Sequence, residues 1–168
     1  MSQLLAPATP FPETPETVLI AGPAGVLEVA VDHPEAHEAR RGIAVICHPN
    51  PPDGGTMQNK VVTMTSRALT ESGLTVVRFN FRGVGRSEGA FDNGRGEVLD
   101  LMAVANWARH ARSDDAFWLA GFSFGSWVAL LGARQLPVQQ VISIAPPVGL
   151  RDFSGVLPPP CPWLIVQG

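Results

Sequence analysis

Hydrophobic and polar positions change period several times along the chain, and each change marks an element. Thr17–Ile20 and Val26–Val31 are short apolar runs separated by Gly22, Pro23 and Gly25, which predicts an antiparallel hairpin. Ile43–Cys47 is apolar without interruption, as a strand buried on both faces must be. Val61, Met64, Thr65, Ala68 and Leu69 then recur at three- and four-residue spacing, which predicts a helix closed by Gly73. Leu74–Phe81 is a further strand, and the loop RGVGRSEG follows it. Val98, Leu101, Met102, Ala105 and Ala108 give a second amphipathic helix. Ala116–Ala120 reads as a strand, GFSFG as a turn, and the apolar stretch through Arg134 as a third helix. Val141–Ala145 is a strand, residues 146–162 are a loop loaded with proline, and Trp163–Val166 is a last strand. Strands alternating with helices after an opening hairpin predict an α/β fold: a doubly wound, mostly parallel sheet with an N-terminal antiparallel hairpin. Residues 1–16 read as a Pro-rich arm and residues 17–168 as one domain.

Composition narrows the function classes. Hydrophobic residues make up 45% of the 168 and charged residues 16%, the balance of a buried sheet covered by helices. The net charge is −3 and no basic face is indicated, which argues against a nucleic-acid partner. No stretch approaches the length of a membrane span, and the first residues lack the basic and apolar runs of a signal peptide. The expectation is a cytoplasmic protein, with monomer and dimer both open. Cys47 and Cys161 are too few for a disulfide framework, and Cys47 reads as a small buried apolar side chain.

The sharpest chemical signal is Gly121-Phe122-Ser123-Phe124-Gly125, between a strand and a helix. A serine on a tight strand-to-helix turn projects its hydroxyl above the sheet, and glycines two positions either side avoid collisions with strand and helix. Ser123 is therefore the candidate nucleophile, with Gly121 and Gly125 as its elbow glycines. The N–H of Phe124 lies at the helix N-terminus, where developing negative charge is stabilised. A second donor is expected from the loop after Cys47-His48, where Pro49, Pro51 and Pro52 have no N–H. Asn50 is the one residue between His48 and Asp53 with a backbone N–H, so Asn50 and Phe124 form the expected oxyanion pair. The plain alternatives are a strand–turn–helix built for packing and a stiff surface turn. His48 reads as a partner of the loop backbone; a base and a metal ligand are the weaker alternatives. No metal site and no cofactor are expected.

Gly83, Gly85 and Glu88 break the G-x-G-x-x-G spacing, and the loop follows a later strand than a dinucleotide-binding loop would. Its glycines are expected to shape a tight turn, with Arg82 tying the loop to the body.

The HPN loop, NFRGVGRSEG and GFSFG, in that order and spacing, resemble the α/β-hydrolase superfamily. HPNPPDGGTMQNKVV is similar to small bacterial hydrolases without a cap domain, of unassigned substrate. The resemblance runs from about Thr17 to Gly168. It implies a serine, an acid and a histidine in that chain order, the acid soon after the strand WLIVQG and the histidine one strand later. The four histidines are His33, His37, His48 and His110, all before Ser123. The resemblance therefore places the acid and histidine past Gly168, on a domain truncated after its seventh strand. Asp152 is the one carboxylate after Ser123 and a possible acid. Without a base the segment itself should be nearly inactive, because the serine stays protonated. Residues 146–162 are too few for a helical cap, so an open site is expected. Two functions compete. One is a serine hydrolase cleaving a carboxylic ester or related acyl bond of a small-molecule acyl substrate, through an acyl-enzyme on Ser123. The other is a non-catalytic binding protein on a hydrolase scaffold that lacks its general base.

Overall fold

A computed structural model describes residues 8–168. The first seven residues of the Pro-rich arm lie outside the described residues. The strands are β1 (Glu16–Gly22), β2 (Gly25–Asp32), β3 (Gly42–Cys47), β4 (Thr75–Phe79), β5 (Ala116–Phe122), β6 (Gln140–Ile144) and β7 (Trp163–Val166). The helices are α1 (Lys60–Glu71), α2 (Arg95–Ala111) and α3 (Phe124–Ala133). The strands form one sheet in the order β1-β2-β4-β3-β5-β6-β7. β1 and β2 pair antiparallel, as do β2 and β4; every later pairing is parallel. This is the α/β architecture expected from the alternation of periods.

β3 is buried along its whole length because helices cover both faces of the sheet. Ile43, Val45 and Cys47 join the cluster that includes Leu101 and Val104 of α2 and Val128 and Ala129 of α3. Ala44 and Ile46 join the opposite cluster with Val62 and Leu69 of α1. Successive side chains of a strand point to opposite faces, so one continuous apolar run serves both layers.

α1 differs from expectation in the face it buries. Val62, Ser66 and Leu69 point inward, while Met64 is 59% exposed. A serine takes an interior position because its hydroxyl donates to Asp32 Oδ2 at 2.6 Å. Asp32 in turn accepts Arg78 Nε at 2.7 Å. The described part of the Pro-rich arm makes contacts with the sheet and α2. Thr9 Oγ1 donates to Leu19 O at 2.8 Å, Trp107 Nε1 donates to Thr9 O at 2.7 Å, and the Phe11 and Trp107 rings lie 4.9 Å apart. Thr9 and Phe11 thus tie this segment to β1 and α2. No helix among the described residues is long and apolar enough to cross a membrane.

Candidate active site

The turn from β5 into α3 is held by close backbone packing. Ser123 has φ 53° and ψ −121°, a sparsely populated conformation for a residue with a side chain. Its N–H donates to Ile144 O at 2.9 Å, which ties the turn to the end of β6. Its carbonyl accepts the Ser126 N–H at 2.9 Å and the Ser126 hydroxyl at 2.7 Å, closing the first turn of α3. A Cβ on Gly121 would collide with the backbone of Gly125 and Ser126. A Cβ on Gly125 would collide with the carbonyls of Cys47 and His48. The two glycines therefore let α3 start directly against the end of β3.

That contact brings the loop after β3 beside Ser123. Pro49, Asn50, Gly55, Asn59, Phe122 and Ser123 are among the residues lining a pocket of about 240 Å³. The loop closes on itself: Asn50 O accepts Asp53 N–H at 3.1 Å and Gly55 N–H at 3.0 Å, around a 3₁₀ turn at Pro51–Asp53. Gly55 lies so close to Pro49 and Asn50 that no Cβ fits there. Neither the Asn50 nor the Phe124 backbone N–H has an acceptor among the described residues, and neither has the Ser123 hydroxyl a partner. The Ser123 hydroxyl and the Asn50 and Phe124 N–H groups are thus left without internal partners, and Asn50 and Ser123 line the same pocket.

His48 is fully buried at the base of this loop. Its Nε2 accepts the Phe81 N–H at 3.0 Å, which fixes the proton on Nδ1, and Nδ1 donates to Pro49 O at 2.7 Å. Burial pulls its pKa down to about 4, so it is neutral. Both nitrogens are committed to backbone, and the base and metal-ligand alternatives have no free nitrogen to use. His33 sits against Pro12 O, His37 beside Glu38 at the surface, and His110 in the last turn of α2. Burial pushes the thiols of Cys47 and Cys161 up, away from the reactive thiolate form. Among the described residues no three His, Cys, Asp or Glu side chains cluster as a metal site requires.

Asp152 is exposed, and its carboxylate is taken up by the Ser154 hydroxyl and N–H, which hold its pKa below the usual range. No histidine partners it among the described residues. Its carbonyl accepts Trp127 Nε1 at 3.2 Å, so the loop at 146–162 lies over the start of α3; it contains no helix.

The RGVGRSEG loop is a buttress of the same end of the sheet. Ser87 Oγ donates to Asn80 O at 2.6 Å and accepts Glu28 N–H at 2.9 Å. Asn80 Oδ1 accepts Met57 N–H at 2.9 Å, just before α1. Arg82 forks onto the fully buried Asp100, with Nη2 to Oδ1 at 2.8 Å and its own N–H to Oδ2 at 2.9 Å. Glu97, also fully buried, caps α2 by accepting the N–H groups of Gly94 at 2.8 Å and Asp92 at 3.0 Å. Sequence reasoning singled out Arg82 but missed both acids, which occupy helix positions that periodicity assigns to apolar side chains. It also missed Arg151, whose Nη2 donates to Asn50 Oδ1 at 3.0 Å.

Comparison with known proteins agrees with this architecture. The family model of the X-Pro dipeptidyl-peptidase (S15) family matches residues 17–156. An α/β serine hydrolase without a lid from Xanthomonas campestris is 54% identical, with a TM-score of 0.90 over 94% of this chain and 72% of its own. An α/β serine hydrolase homologue from Coxiella burnetii is 50% identical, with a TM-score of 0.89 over 95% of this chain and 76% of its own. An uncharacterized protein of Rickettsia prowazekii is 40% identical over 152 residues, 88% of this chain. The chain spans 63% of the length of that curated relative. On the matched span and the shared fold, this chain belongs to the S15 family and, with it, to the α/β-hydrolase superfamily.

Proposed function

We propose that this protein is a serine hydrolase that cleaves a carboxylic ester or a related acyl bond through an acyl-enzyme on Ser123. The observation that carries the reading is the backbone of Ser123 at φ 53° and ψ −121°, between two glycines that admit no Cβ. Strain of this kind costs about 1–3 kcal/mol and persists where the surroundings enforce it. Here it lifts a hydroxyl with no internal partner into a pocket shared with Asn50. In the proposed reaction the Ser123 oxygen attacks the acyl carbonyl, and its proton leaves to a general base. The N–H groups of Asn50 and Phe124 receive the negative charge that develops on the carbonyl oxygen. Collapse of the tetrahedral species expels the alcohol or amine, and water repeats the sequence on the acyl-serine. Two free donors beside a helix N-terminus are the arrangement such a charge needs.

The base and its acid are the parts that the described residues do not supply, since the described histidines are engaged or lie elsewhere and Asp152 is taken up by Ser154. That observation favours the second reading, a binding protein on a hydrolase scaffold. The two differ in one measurable quantity. Mixing the intact gene product with p-nitrophenyl acetate should give a burst of p-nitrophenol stoichiometric with enzyme. Acid quenching should then leave the acetyl group on the peptide that contains Ser123. Steady release that Ser123→Ala leaves unchanged would favour the binding protein. The loop at 146–162 carries no helix over the pocket, so the proposed substrates are those that reach an open site.

A further inference from the structure

Arg151 is the side chain through which the 146–162 loop meets the loop after β3. Its Nη2 donates to Asn50 Oδ1 at 3.0 Å. Its guanidinium carbon lies 4.9 Å from the centre of the Phe124 ring and 5.4 Å from that of Trp127. No carboxylate pairs with it among the described residues. A planar cation stacked on two aromatic rings is thus aimed at a neutral amide, where ion-pair logic would have supplied an acid.

The amide it grips is held at both ends. Asn50 Nδ2 donates to Asp53 Oδ2 at 2.9 Å while Asn50 Oδ1 accepts from Arg151. The side chain of Asn50 is therefore strung between a cation and an anion, which orders the residue whose backbone N–H borders the pocket. Phe124, beneath the same guanidinium, carries the other free N–H. One guanidinium spans both residues assigned to the oxyanion site.

We propose that Arg151 is a positioning residue for that site: it clamps Asn50 against the elbow so that the Asn50 and Phe124 N–H groups point at one oxygen. The proposal rests on the hydrolase reading of Ser123. A clamp of this kind acts on the transition state, because the donors are needed most when charge sits on the oxygen. Asp53 on the same loop makes the surroundings of Asn50 unfavourable for an anionic substrate group, which separates positioning from substrate-charge recognition.

The test uses the intact gene product, p-nitrophenyl acetate as a neutral substrate and a fluorophosphonate as a probe of the serine. Arg151→Met should lower kcat and the labelling rate by up to ~10²-fold, the scale of a misplacement of about 1 Å. KM and the melting temperature should stay near wild type. Arg151→Gln serves as the second variant if the methionine disturbs the loop. Asn50→Ala should show a loss of similar size, and the double variant should lose no more than either single one, because both remove the same contact. Additive losses, or a rise in KM with kcat unchanged, would overturn the positioning role. Wild type and Arg151→Met that turn over alike would overturn it while leaving the hydrolase reading intact. A wild type that neither labels nor turns over overturns both.

Discussion

His48 and Ser123 stand near each other in the fold but carry opposite chemistry. Ser123 keeps a hydroxyl without a partner, whereas His48 spends both nitrogens on backbone, at 3.0 Å from Phe81 N and 2.7 Å from Pro49 O. The histidine is a bracket that fastens the loop after β3 to the chain after β4. Its depressed pKa of about 4 has a thermodynamic consequence. Between the unfolded value of about 6.5 and the folded value, the unfolded chain binds a proton that the native protein does not. Stability from this group is therefore fully present above about pH 6.5 and is lost as pH falls toward 4, by ~3 kcal/mol in all. Urea denaturation of wild type and His48→Gln at a series of pH values checks this. The difference between their unfolding free energies should shrink steadily from pH 6.5 to 4 and stay flat above 6.5. Equal slopes would mean that His48 titrates normally in the native state.

The pairing of elements is set by what fits between them. α3 meets the end of β3 so closely that Gly125 has the Cys47 and His48 carbonyls where a Cβ would stand. Gly125→Ala should push the helix off the strand end and cost about 1–3 kcal/mol, the usual range for overpacking. A lowered urea midpoint at unchanged slope measures it, and a midpoint equal to wild type would show that the elbow yields. The elbow was legible in the sequence for this reason: close backbone approach demands glycine, and GFSFG prints the demand. The strands were legible because burial on both faces leaves an unbroken apolar run, as in Ile43–Cys47. The inward face of α1 was not, because Ser66 faces in only where Asp32, 34 residues away in sequence, supplies an acceptor. Glu97 and Asp100 were hidden likewise: their burial is tolerable only because Arg82 and the N–H groups before α2 satisfy them. Arg151 left no local signature at all, since its partners are Asn50, Phe124 and Trp127.

At the scale of the molecule, the parallel strands present their C-terminal ends to one edge, and the proposed chemistry collects there. The loops after β3 and β6 and the β5–α3 elbow meet at that edge, as expected for open α/β sheets, where sites form outside the carboxyl ends of strands. The two residues after β4 support them from beside, through Asn80 on Met57 and Phe81 on His48. The proposed roles of Ser123, Asn50 and Phe124 rest on that fixed arrangement. The proposed function requires that a general base activate Ser123 in the intact gene product. The most direct measurement is labelling of the intact, folded gene product with a fluorophosphonate, followed by peptide mass spectrometry, with Ser123→Ala as control. A single adduct on Ser123, absent from the variant, is the predicted result. A folded wild-type protein that takes up no phosphonate at Ser123 would contradict it.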